Sequence, residues 1–226
     1  MIPKIPSRIL SLKQDREGRP IPFFVWLNEK GEPDFRVADP AKFRVCIQFN
    51  KCWICGDQLG VYKSFLLGPV GSLTRVTTEP ASHKDCAEYA ISHCPFLLSP
   101  RRKRNTKDLP DGHIPTGGLT HNPGIVAHWI TKKAATFNPS QNEILIRVGD
   151  PEAVFWYTEG REATFHEISD AVAEAIGRIA AEDPNNLEWA AEQYDKIRQF
   201  TPQPSRDAVP ENQDSACAAE AATGSD

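Results

Sequence analysis

The feature that most constrains this chain is a set of four side chains with metal-ligand chemistry at paired spacing: Cys52 with Cys55, and His83 with Cys86. In Cys52-Trp53-Ile54-Cys55-Gly56 two thiols flank a tight turn, and the glycine after the second lets backbone amides fold inward toward the sulfurs. His83 and Cys86 follow Glu79-Pro80-Ala81-Ser82, a sequence suited to opening a helix. Positions i and i+3 share a helix face, so both side chains can aim at one ion. Three thiolates and one imidazole fill a tetrahedron and leave no position for an activated water, which is the pattern of a structural zinc site. The expectation is one structural zinc ion held by Cys52, Cys55, His83 and Cys86.

The remaining cysteines do not compete for that ion. On a continuous helix Cys94 would lie about 12 Å beyond Cys86 at ~1.5 Å per residue. Cys46 precedes the turn on a helix and is expected to be buried as a small hydrophobe. Cys217 sits in the tail as a free thiol. Six cysteines in 226 residues are also too sparse for a secreted disulfide scaffold. Between the ligand pairs, Leu59 to Leu67 and Ser72 to Thr78 read as strands joined by Gly68-Pro69-Val70-Gly71. Turn, hairpin and ligand-bearing helix start together resemble a treble-clef zinc finger over residues 50–94. Some treble-clef proteins are nucleases with a general-base histidine on the hairpin. Residues 59–78 contain no histidine, so that chemistry is not expected.

Elsewhere the patterns point to an α+β fold. Residues 1–20 read as an extended lead-in. Ile21 to Leu27 and Pro33 to Val37 suit a hairpin around Asn28-Glu29-Lys30-Gly31, and Asp39-Pro40 caps a helix running to about Asn50. The zinc-finger-containing region is set at 21–98. Prolines and glycines mark 99–123 as a loop or linker. In the third region, 124–200, Gly124 to Thr131, Glu143 to Val148 and Ala153 to Thr158 suit an antiparallel meander, with Asn138-Pro139-Ser140 as a turn. Thr164-Phe165-His166-Glu167 is a capping box. Ile168, Val172, Ile176 and Ile179 then make one apolar helical face, and a second helix, Leu187 to Phe200, follows the break at Asp183-Pro184. This pair is expected to be a helical hairpin on the meander. Residues 201–226 carry too little apolar surface to offset ordering entropy and are expected to be disordered.

Charge divides the chain. Residues 1–110 hold 18 Lys/Arg against 11 Asp/Glu, and residues 111–226 hold 8 against 19, so a basic front meets an acidic back. Arg101, Arg102, Lys103, Arg104 and Lys107 form a basic run after the finger that could neutralise nucleic-acid phosphates. A solvated loop is the plainer reading. His113, His121 and His128, with Asp111, offer an alternative: an enzyme site between the two halves. A third reading makes the acidic helices an inhibitory or adaptor surface for another protein. Trp53, Trp129 and Trp156 lie in apolar runs and are expected in the core. Gly117-Gly118 lacks the context of a phosphate loop, and no nucleophile elbow occurs. No apolar run is long enough to span a membrane and no signal-peptide stretch opens the sequence, so cytoplasmic residence without a membrane partner is expected.

Asp34-Phe35-Arg36-Val37, Cys52-Trp53-Ile54-Cys55-Gly56, Pro80 to Cys86, Cys94-Pro95-Phe96-Leu97 and Asn122-Pro123-Gly124 together resemble an uncharacterised family of bacterial and phage-encoded zinc-binding proteins. The similarity spans about residues 20–180. It implies a bacterial or phage cytoplasmic setting and names no activity. The basic region 84–107 makes the first functional reading a non-enzymatic, zinc-stabilised binding module that engages nucleic acid or a host protein.

Overall fold

The computed structural model describes residues 5–201 apart from 101, 104, 106, 108, 110–121 and 142. The lead-in is not wholly extended: it forms the helical turn α1 (Ser7–Leu10). Ile9 on this turn is wholly buried in the cluster that contains Cys52, Cys55 and Cys86, with Ile5 and Leu12 packed beside it. Strands β1 (Val25–Leu27) and β2 (Pro33–Ala38) form the expected hairpin. Helix α2 (Pro40–Phe49) begins as its sequence demands. The Asp39 carboxylate accepts from the amides of Ala41 and Lys42, Pro40 occupies the first turn, and Asn50 closes the helix in the left-handed region at φ 49°.

The segment between the two ligand pairs departs from the expected hairpin. Strand β3 (Lys63–Leu67) is followed by a helix, α3 (Pro69–Thr74), and a two-residue strand, β4 (Val76–Thr77). Gly68-Pro69 suits a turn, yet proline at a first helical position loses no hydrogen bond. The Ser72 and Thr74 hydroxyls donate back to the carbonyls of Gly68 and Val70, and Leu73 is buried. Helix α3 thereby separates β3 and β4 into different sheets. Helix α4 (Lys84–His93) follows, with His83 at its N-cap.

After residues 99–123 come β5 (Val126–Thr131), β6 (Ala134–Ser140), β7 (Glu143–Val148), β8 (Ala153–Thr158) and β9 (Arg161–Glu162), then α5 (Phe165–Glu182) and α6 (Asn186–Arg198). They do not form the expected meander. One antiparallel sheet has the order β3-β5-β8-β9 and the other β4-β7-β6, so each contains strands from both sides of 99–123. Strand β6 replaces the expected turn at Asn138-Pro139-Ser140. Its pairing with β7 shifts register between Phe137 and Ser140, where Pro139 supplies no amide. Because β6 is exposed along nearly its whole length, no alternation of apolar residues announced it.

Strand β5 is the centre of the molecule, with all six residues buried. Phe65, Trp129 and Val154 lie in register on one face of the sheet; Leu66, His128 and Phe155 lie on the other. The first face packs with Trp156, Ile168, Val172, Ala175, Ile179, Ala190 and Ile197, so the α5–α6 hairpin supplies the expected apolar stripe, with Ala175 taking the buried place and Ile176 its edge. The capping box forms: Thr164 Oγ1 accepts from the Glu167 amide at 3.3 Å, and Glu167 Oε2 accepts from the Thr164 amide at 2.8 Å. The chain is an α+β protein with helices and antiparallel sheets packed together. No helix among the described residues is long and apolar enough to cross a membrane.

Candidate metal centre

The turn that holds Cys52 and Cys55 is built by backbone hydrogen bonds. The Gly56 amide donates to the Cys52 carbonyl at 2.9 Å and the Cys52 amide donates to Asp57 at 2.8 Å. Gly56 takes φ +80°, and a Cβ there would stand 2.7 Å from the Phe23 ring, so glycine is required both by conformation and by the approach of Phe23. The β1 side docks on this turn through the Phe23 amide to Ile54 and the Phe24 amide to Trp53. Trp53 stacks on Phe24 with ring centroids 5.0 Å apart, and Phe43 meets its edge at 6.1 Å. All three tryptophans expected in the core are buried: Trp53, Trp129 and Trp156.

His83 and Cys86 arrive from the other direction. The Trp53 amide donates to the Ala81 carbonyl at 2.9 Å, and Ser82 exchanges both backbone hydrogen bonds with Ser64 on β3. Sheet and turn together therefore set the start of α4. The ligand-type atoms of Cys52, Cys55, His83 and Cys86 all lie within 4.8 Å of one another. In a tetrahedron with metal–sulfur bonds of ~2.3 Å and a metal–nitrogen bond of ~2.0 Å, the nitrogen–sulfur edge is about 3.5 Å. The His83 Nδ1 distances to the sulfurs of Cys55 and Cys86, 3.4 and 3.9 Å, bracket that edge.

Two features orient the donors toward one point. His83 Nε2 lies 3.0 Å from the Gln58 carbonyl, which can only accept. Nε2 therefore carries the proton, and the Nδ1 lone pair faces the sulfurs. Cys52 Sγ accepts from the amides of Cys55 and His83 at 3.5 and 3.4 Å, which favours a thiolate. The thiols crowd each other: hydrogen bonds from Cys55 and Cys86 hold Cys52 well below the ordinary thiol range. The hydrogen bond to Cys52 pushes Cys55 up to about 11 and Cys86 higher still. The close approach of the three sulfurs opposes joint loss of their protons. A divalent ion at their centre removes that conflict, so the residues fit a bound metal in charge, geometry and donor type. The three sulfurs are shielded, with Cys52 and Cys86 wholly buried and Cys55 9% exposed, while His83 is half-buried at the edge of the site.

The other candidates are placed as follows. Cys46 is buried, and desolvation pushes its thiol up to about 12. Cys94 caps the far end of α4, away from the cluster. Arg102, Lys103 and Lys107 are exposed, whereas Arg101 and Arg104 lie outside the described residues. His113, His121, Asp111, Gly117, Gly118 and Cys217 also lie outside them. His128 is wholly buried in β5; its Nε2 stands 3.0 Å from Ser64 Oγ, and its Nδ1 meets no partner among the described residues. Burial, with a smaller contribution from the Lys84 charge, pushes its pKa down to about 4. Glu174, Glu182, Glu188 and Glu192 stand exposed on α5 and α6.

Sequence reading missed Gln58, whose contribution is a main-chain carbonyl and so has no side-chain signature. It also missed Arg8 and Asp85, which pair at 3.2 Å beside the cluster. No protein-family model matches the chain, and neither a curated protein nor a solved structure matches it.

Proposed function

We propose that the protein is a non-enzymatic binding module whose front is organised by a structural zinc ion and which engages nucleic acid through the basic segment 101–107. The closed Cys52–Cys55–His83–Cys86 cluster carries the reading, because a tetrahedral site with three sulfurs and one imidazole nitrogen suits zinc and leaves no open position for catalysis. The display of the basic segment supports the second half. Asn122 Nδ2 donates to the carbonyls of Phe96, Leu97 and Ser99 at 2.7, 3.2 and 3.0 Å, and the Asn122 amide donates to Arg102 at 2.9 Å. Arg36 Nη1 donates to the Lys107 carbonyl at 2.9 Å. These bonds tie the backbone at both ends of the run while Arg102, Lys103 and Lys107 face solvent. The motif resemblance supports a bacterial or phage-encoded, cytoplasmic setting.

The test is equilibrium binding of labelled duplex DNA and single-stranded RNA to zinc-loaded protein across a salt series. Affinity should fall steeply with salt, and replacing Arg101, Arg102, Lys103 and Arg104 with glutamine should reduce the log–log salt slope by about 3–4. Absent or salt-insensitive binding would overturn the nucleic-acid reading and leave a host protein as the partner of this segment.

A further inference from the structure

Three thiolates and a neutral imidazole around a divalent cation carry one formal negative charge in excess, and three of the four ligand side chains here are buried. The surrounding protein must supply compensation, since an unpaired buried charge is costly. The first turn of α4 makes the demand greater. Asp85, between His83 and Cys86, accepts the Cys86 amide on Oδ1 at 3.0 Å and so brings a further carboxylate to the cluster.

Arg8 meets part of that demand. Its Nε lies 3.2 Å from Asp85 Oδ2, and its side chain is about one-third exposed. The next residue, Ile9, is wholly buried in the same cluster as Cys52, Cys55 and Cys86. Lys51, the cation within the turn, instead gives its ammonium to the Gly56 carbonyl at 3.2 Å.

We propose that Arg8, through Asp85, is a cation that offsets the negative charge at the metal centre, so that zinc binding and docking of α1 are thermodynamically coupled. The proposal rests on the zinc reading above. Each event makes the other more favourable: the loaded centre attracts the Arg8 charge, and the docked turn seats Ile9 in the core that includes Cys52, Cys55 and Cys86. Linkage requires the coupling to be reciprocal.

Zinc affinity is measured by competition with a chromophoric chelator in the full chain, and docking of α1 by amide exchange over residues 5–12. Arg8→Gln should weaken zinc about tenfold, within the range for residues that support metal ligands. Arg8→Lys, which keeps the charge, should recover most of that loss. In the wild type, zinc removal should speed exchange in α1. Equal zinc affinity for wild type and Arg8→Gln, or equal losses in the glutamine and lysine variants, would overturn the proposal. So would α1 exchange that ignores zinc. A wild-type chain that binds no zinc at all would instead sink the zinc reading itself, and the chelator titration separates the two failures.

Discussion

Around the Cys52–Gly56 turn, the buried side chains are thiols and a few apolar residues, tied by short backbone hydrogen bonds to Asp57, Ala81 and Ile54. Around β5, by contrast, Trp129, Val154, Trp156, Ile168, Val172 and Ile179 interlock across a sheet and two helices. The second region buries large apolar surfaces against one another, and burial alone can hold it. The first concentrates polar sulfur and imidazole donors whose mutual proton conflict a cation would remove. One region is thus held by packing, the other has a donor set suited to a metal ion, and Ser64, bridged to Ser82 and touched by His128, joins them.

Metal removal should separate the two regions most strongly, because a structural zinc supplies apparent binding energy on the order of 10 kcal/mol. With chelator, or in Cys86→Ser, amide exchange should rise across 50–59 and 83–93 while β5, β8 and α5 stay protected. Uniform loss of protection would mean that the sheet also depends on the ion. Next in size is Trp129→Ala, at a wholly buried position with Nε1 donating to the Gly149 carbonyl at 3.0 Å. It should cost about 3–5 kcal/mol in denaturant unfolding of zinc-loaded protein. A cost under about 1 kcal/mol would contradict the assignment of the core to β5.

The smallest expected effect lies at the junction. His128 has its pKa depressed from 6.5 to about 4, so the unfolded chain binds the extra proton first. Stability should therefore fall as pH drops below 6.5 and stop falling from this cause near 4, by about 3 kcal/mol at most. His128→Gln should flatten the stability profile in that window, measured against wild type at each pH so that the metal's own acid sensitivity cancels. An unchanged slope would remove His128 as its source.

The four metal-centre residues were legible in the chain because a donor pair at i and i+3 is a local constraint, readable from spacing and residue type. Helix starts were legible for the same reason: Asp39 and Thr164 act on amides two or three residues away. Strand partnership was not. The chain from β5 to β8 read as a meander, but β5 is flanked by β3 and β8 while β6 and β7 form a separate sheet with β4. The helix at Pro69 was hidden because Gly-Pro-Val-Gly suits a turn as well as a helix start, and the choice fell to burial of Leu73.

By itself, then, the amino-acid order determined the donor set, the caps and the apolar stripe of α5, all of which are interactions over a few residues. Only the tertiary structure decided which strands meet, that His128 is enclosed rather than exposed, and that Arg8 reaches Asp85 from far along the chain. Those outcomes depend on which surfaces can be buried together, and that competition is settled over the whole molecule rather than within any local window.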